Sequence, residues 1–352
     1  MPANCAPNVF RNAYHFQNSR ESVFRFPYPF ETDQAKMRVN VAPHDRTGPT
    51  AAFHALFDID EHYLSEIEER NYLLAQRPYL CQVSPHMRLA EWDVLELIME
   101  ALAEDFPQHF SLQKNGGEWL WTNHLLKIQR QFIFGDDQSF PDSPLDYIAR
   151  QGQGDLLLME QRDGDLWLEG GCVTQAFGWS FDFIMGMSWN DWHGPVMKKA
   201  ERDVIDRSRR MSMSLQVGAP IRRVNWLMQT KPRLDRNLDT KLEWRLDDAA
   251  FQKENIGSDL FLRTEFQQLY RLPRSNAVLF GLRHYMLSFN ELLMVPKWAK
   301  RTHRVLRDLD PNSERYESTF ARLDAIEWLA RYDDGAVTSH GFGPDLDGQG
   351  AA

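Results

Sequence analysis

Arg263, Glu265 and Gln267 stand at a spacing of two inside the run FLRTEFQQLYRLP, otherwise built of strand-forming residues. On an extended chain alternate residues share a face, about 7 Å apart, so a guanidinium, a carboxylate and an amide line up. That grouping reads as a site. The same three groups can also form a salt-bridge ladder on a surface sheet. Odd positions from Phe261 to Leu269 and even positions from Leu262 to Tyr270 both mix polar with apolar groups, which an ordinary half-buried strand would segregate.

A second candidate is His193, in the run Trp192-His193-Gly194-Pro195-Val196 between an aromatic-rich segment and a helix. Gly194 loosens and Pro195 restricts the backbone of a steep turn, from which an imidazole can point outward. A neutral imidazole is a good axial ligand for haem iron, although a lone histidine can equally be a packed or capping residue. Upstream, Trp179, Phe181, Phe183, Ile184, Met185 and Met187 offer either an apolar wall for a porphyrin or simply a core.

Other chemistries find little support. No GxGxxG or GxxxxGK[ST] loop, no GxSxG and no HExxH is present. Cys5, Cys81 and Cys172 are odd in number and far apart in sequence, giving neither a disulfide framework nor the signature of structural zinc or an iron–sulfur cluster. A net charge of −10 argues against nucleic acid as a partner. No apolar run reaches the ~18 residues of a membrane span, and the first residues lack a basic region followed by an apolar one. The expectation is therefore a cytoplasmic protein with no membrane partner. Lys297, Lys300, Arg301, Arg304 and Arg307 follow one side of an expected helix, as a solvated face or a dock for an acidic partner.

The elements that must position these residues follow from periodicity. Residues 1–58, rich in Pro, Asn and aromatics, read as an arm anchored by FRFPYPF; residues 59–334 read as the body; Gly-rich residues 335–352 read as a flexible tail. Apolar stripes predict helices over 60–76 and 89–104, another ending near Leu215, and two more over 296–309 and 311–331. Strands are predicted as a hairpin over 155–174 turning at Asp163-Gly164, a strand over 221–230, and a second hairpin over 261–286 turning at Pro273 to Asn276. Residues 106–142 have no assignable pattern, and charged residues 231–257 read as a solvated excursion. The sum is an α+β fold: an antiparallel sheet of five or six strands flanked by helices.

Three stretches, His193-Gly194-Pro195-Val196, Arg223-Val224-Asn225-Trp226 and Arg263-Thr264-Glu265-Phe266-Gln267-Gln268-Leu269-Tyr270-Arg271-Leu272-Pro273, resemble the motifs His-x-Pro-Val, Arg-x-Asn-Trp and Arg-x-Glu-x-Gln-x-Leu-x-Arg-Leu-Pro of the haem-dependent oxidative N-demethylase α-subunit family. The likeness extends more weakly from about Phe24 to Trp328. It departs from the pattern in the segment before His193. Trp189 and Trp192 add bulk there, and the usual Pro-Ser-Gly-Trp is Ala176-Phe177-Gly178-Trp179. The resemblance implies a PAS-like sheet binding haem b, which oxidises dimethylamine with O2 to methylamine and formaldehyde. Electrons would come from NADPH through separate reductase subunits bearing FMN and a 2Fe-2S cluster. It implies His193 as the iron ligand and Trp179 as part of the haem wall. Glu265 would accept the cationic amine, steadied by Arg263 or Gln267. Arg223 would stabilise charge developing on oxygen, Asn225 would bond the arginine or the amine, and Arg271 would pair with a haem propionate. The alternative is a haem-based gas or redox sensor on the same sheet, without turnover.

Overall fold

In the computed structural model, residues 16–35, 41–193, 202–312 and 319–342 are described. Among the described residues ten strands run β1 (Ala42–Pro43), β2 (Cys81–Val83), β3 (Phe110–Asn115), β4 (Glu118–Asn123), β5 (Ile128–Ile133), β6 (Asp155–Arg162), β7 (Asp165–Cys172), β8 (Ile221–Thr230), β9 (Leu260–Arg271) and β10 (Val278–Ser288). Seven form one antiparallel sheet in the order β1-β8-β9-β10-β6-β7-β2, and β3-β4-β5 form a separate meander. The α+β class is as expected, but the main sheet has seven strands rather than five or six, because the short β1 and β2 close its edges. The meander occupies the stretch without a readable pattern. Trp119, Trp121 and Phe132 are buried in it, against the helix Arg88–Asp105.

The central strands β9 and β10 are buried along their whole length because both faces of the sheet are covered. One face carries Tyr270, Leu279, Leu156 and Leu158 into a core shared with the helices Tyr63–Gln76 and Arg88–Asp105, and continues through Phe266, Tyr285 and Leu287 to the helix Pro296–Arg307. The opposite face carries Leu269, Phe280, Leu282, Leu157 and Met159 towards the segment 176–193 and the helix Arg202–Met213. Double coverage explains the mixed polarity of β9: the odd residues leave the first core and face the second layer.

Several expectations shift in detail. Both early helices form, over Tyr63–Gln76 and Arg88–Asp105, and both hairpins and the strand over 221–230 appear. The expected stripe residue Ala200, the turn residues Gly194, Pro195 and Val196, and Tyr316 lie outside the described residues. The charged stretch 231–257 is no simple excursion: Asp235, Arg236 and Asn237 are buried, and Asp235 pairs with the buried Arg77. Two cations of the basic helix Pro296–Arg307 are used internally. Arg301 is buried and bonds Asp33, the Phe30 carbonyl, Thr338, and the Ser339 and Gly341 carbonyls; Arg304 sits between Asp33 and Asp333. The tail is therefore tied down as far as residue 342, where the Phe342 carbonyl accepts from Trp298 Nε1.

Candidate active site

Strand register builds the site. Asn225 of β8 and His284 of β10 flank Glu265 of β9 as direct cross-strand partners, and one step along, Arg223 and Leu282 flank Gln267. Cross-strand neighbours project to the same side of a sheet, so one polar row and one mixed row face the second layer together. Between them and that layer lies a cavity of about 270 Å³, lined on the sheet side by Arg223, Asn225, Glu265, Gln267, Leu269, Phe280, Leu282 and His284. The far side comprises Trp179, Trp189, Trp192 and His193, with Ile205, Ser208 and Met211 from the helix Arg202–Met213.

Glu265 is the focus of the polar wall. Asn225 Nδ2 and Gln267 Nε2 both donate to its Oε2, at 3.1 and 3.0 Å. Two amides on one oxygen fix the carboxylate without neutralising it. Oε1 lies 4.0 Å from His284 Nε2. His284 Nδ1 is 2.7 Å from Gln175 Oε1, which makes Nδ1 the protonated nitrogen and leaves the Nε2 lone pair beside Glu265. Burial, reinforced by the guanidinium groups of Arg263, Arg283 and Arg70, holds the His284 imidazole well below the usual histidine range and keeps it neutral. Gln175 is itself anchored, because its backbone N–H and that of Thr174 each donate to the buried Asp155 carboxylate at 2.9 Å. Burial pushes the Asp155 carboxyl up to about 6.

Opposite, His193 ends the short helix Trp189–His193. Its ring stacks on Trp189 at 4.3 Å between centroids and leans on Trp192 at 4.5 Å. Nδ1 lies 2.9 Å from the Trp189 carbonyl, so Nδ1–H donates there and Nε2 carries the lone pair. Burial, with a smaller contribution from the Arg223 cation, lowers its pKa to about 4, so the ring is neutral at pH 7. A neutral imidazole oriented by a carbonyl on its other nitrogen is how histidines are prepared for a metal.

The structure brings His193, Trp179, Arg223, Asn225, Glu265 and Gln267 to one cavity. Two expected members are elsewhere. Arg263 does not hold Glu265: it is completely buried, donating to Gln229 Oε1, the Leu234 carbonyl and the Gln175 carbonyl. Burial pushes it down to about 10, still cationic at neutral pH, and Glu265 and Asp155 supply the nearby negative charge. Arg271 is not at the cavity. Its guanidinium bonds the carbonyls of Leu215, Ser212, Met213 and Asn276 and the side chain of Gln161. Of the expected apolar wall, Phe181 and Ile184 pack in the core while Phe183 is 71% exposed. His284 and Gln175 were not visible beforehand. An alternation count from Glu265 through the turn cannot give the partner of Glu265 without the loop length that sets the register.

On the far wall, the His193 Nε2 lone pair among three indoles fits the donor of an axial-ligand position for a haem. Trp189, on the same wall, keeps a buried Nε1–H with no hydrogen-bond partner among the described residues, an orphan donor that a bound group with acceptor atoms would satisfy. Among the described residues no helix is long and apolar enough to cross a membrane. The model of a protein family described as haem-dependent oxidative N-demethylase, alpha subunit-like, matches residues 49–326.

Proposed function

We propose, proceeding from the fact that this chain belongs to the haem-dependent oxidative N-demethylase, alpha subunit-like family, that it is the haem-bearing catalytic subunit acting on a small secondary amine such as dimethylamine. The balanced reaction is dimethylamine, O2, two electrons and two protons to methylamine, formaldehyde and water. A bound haem b would supply O2 activation and oxidation of an N-methyl C–H bond. What this chain's own residues do is position and desolvate the amine and manage its protons. In this reading the central order β7-β6-β10-β9-β8 is a PAS-like sheet. The family resemblance further implies electrons arriving from NADPH through separate reductase subunits carrying FMN and 2Fe-2S, in a cytoplasmic setting.

One observation carries the reading: the Asn225–Glu265–His284 row lies across a single cavity from His193. A secondary ammonium presents two N–H donors and one positive charge. Glu265 offers the compensating charge, and the His284 lone pair 4.0 Å away offers a second, neutral acceptor. Transfer of one N–H proton to the Glu265–His284 pair would expose the nitrogen lone pair, which weakens the adjacent C–H bonds. The same pair could return a proton when the hydroxymethyl amine breaks its C–N bond to release formaldehyde. Arg223, beside Gln267 in the next row, supplies a fixed cation for negative charge developing in the cavity. Trp179, Trp189 and Trp192 give the far wall of the cavity an apolar lining.

The test is a visible spectrum of the protein from haem-replete cells, followed by formaldehyde release with dimethylamine, O2 and a reductant. The expected result is a Soret band in the wild type and its loss in His193→Ala. Full haem loading of His193→Ala rejects the ligand assignment. A normal Soret band without formaldehyde from any small amine replaces the enzyme with a sensor.

A further inference from the structure

Cys81 and Cys172, 91 positions apart in sequence, are direct partners across β2 and β7. Val173 N donates to the Leu80 carbonyl and Ser84 N to the Glu169 carbonyl. The alternation of an antiparallel ladder then makes Cys81 and Cys172 a non-hydrogen-bonded pair, the arrangement in which facing side chains come closest. Asp146, from the short helix Pro144–Ala149, converges on them: one carboxylate oxygen and the two sulfurs all lie within 4.8 Å of one another. Cys172 is fully buried, whereas Cys81 and Asp146 are half-buried, so the cluster can be reached from one side. None of the three lines the cavity of the active site.

Two facing thiols alone would suggest a disulfide, but a disulfide has no use for a third, anionic group. A cation does. We propose that Cys81, Cys172 and Asp146 form a structural site for a divalent metal of the zinc class, with water in the fourth position. Two sulfurs and one oxygen select a borderline-soft ion over magnesium or calcium, which prefer oxygen shells. Two thiolates and a carboxylate exceed a dication's charge by one, and Arg150, whose Nε donates to Asp146 Oδ1 at 2.8 Å, offsets that charge and orients the carboxylate. Binding releases the two thiol protons to solvent and leaves no other chemistry to balance. The ion would fasten the three-residue edge strand β2 and the helix Pro144–Ala149 to β7, whose continuation carries Gln175 and Ala176 into the cavity wall. The proposal does not depend on the haem reading.

The full-length protein, purified under reducing conditions and stripped with a chelator, is titrated with zinc chloride against a chromophoric zinc indicator, with bound metal counted by elemental mass spectrometry. About one equivalent per chain is expected for the wild type, with affinity weakened by at least about tenfold in Cys81→Ser and Asp146→Asn. Zinc should raise the Tm of the wild type and leave that of Asp146→Asn unchanged. Asp146→Asn retains the residue's size, so its circular dichroism separates loss of metal from loss of fold. Uptake well below one equivalent by the wild type overturns the proposal. So does uptake by either variant with the stoichiometry and affinity of the wild type, which would mean adventitious surface binding. Recovery of Cys81 and Cys172 as a disulfide that excludes zinc assigns the pair to redox chemistry instead.

Discussion

Glu265 owes its place to a conflict between strand periodicity and polarity. Arg263, Glu265 and Gln267 looked alike in sequence, yet only Glu265 and Gln267 reach the cavity, while Arg263 one step back is covered by the segments bearing Gln175 and Leu234. That difference depends on what packs over the strand and is invisible in the strand itself. His284 was hidden for a related reason, since its role exists only through its register opposite Glu265. Glu265→Gln keeps the hydrogen-bonding shape and removes the charge, so haem binding should survive while amine turnover falls by roughly two orders of magnitude or more. Stopped assays for formaldehyde beside a Soret-based haem count check this. Turnover near the wild-type level would take Glu265 out of the site.

At the scale of elements, the β9–β10 hairpin was legible because its two strongly β-forming runs are separated by a turn containing Pro273 and Ser275. The meander β3-β4-β5 was not, because its six-residue strands bury isolated aromatics among polar groups and give no sustained alternation. Arg271, expected as a ligand residue, instead ties the end of β9 to the end of the helix Arg202–Met213, which provides one wall of the cavity. Replacing it with Met would leave several buried carbonyls without donors. We expect a loss of about 3 kcal/mol in unfolding free energy, read by denaturant titration, and a cavity wall that loosens before the sheet does. Amide exchange in residues 202–215 should accelerate more than in β10. Unchanged exchange there would show that the helix is held by its apolar contacts alone.

For the molecule as a whole, buried titratable groups set the response to acid. His44, bonded through Nε2 to the Ala55 carbonyl at 2.9 Å, is held down to about 4 by burial. Because its folded pKa is below its unfolded value, its contribution is present above about pH 6.5 and is lost as pH falls towards 4. Asp58 and Asp155 act with the opposite sign. Burial raises each to about 6, so the stability they contribute is complete below the unfolded carboxylate pKa and is lost as pH rises through 6. His44→Gln should therefore make the slope of stability against pH between about 4.5 and 6 more negative by about one proton, measured as ΔG from urea curves across that range. An unchanged slope would place the histidine's proton in both states alike.

The hold of Arg301 on both ends of the described chain has a consequence of its own. The Phe30 carbonyl and Asp33 on one side and Thr338, Ser339 and Gly341 on the other share this single guanidinium, and Gly341 N reaches the Glu31 carbonyl directly. The polypeptide is buckled like a belt, with one cation as the clasp, so a cut on either side of the buckle slackens the whole girdle around the helix Pro296–Arg307.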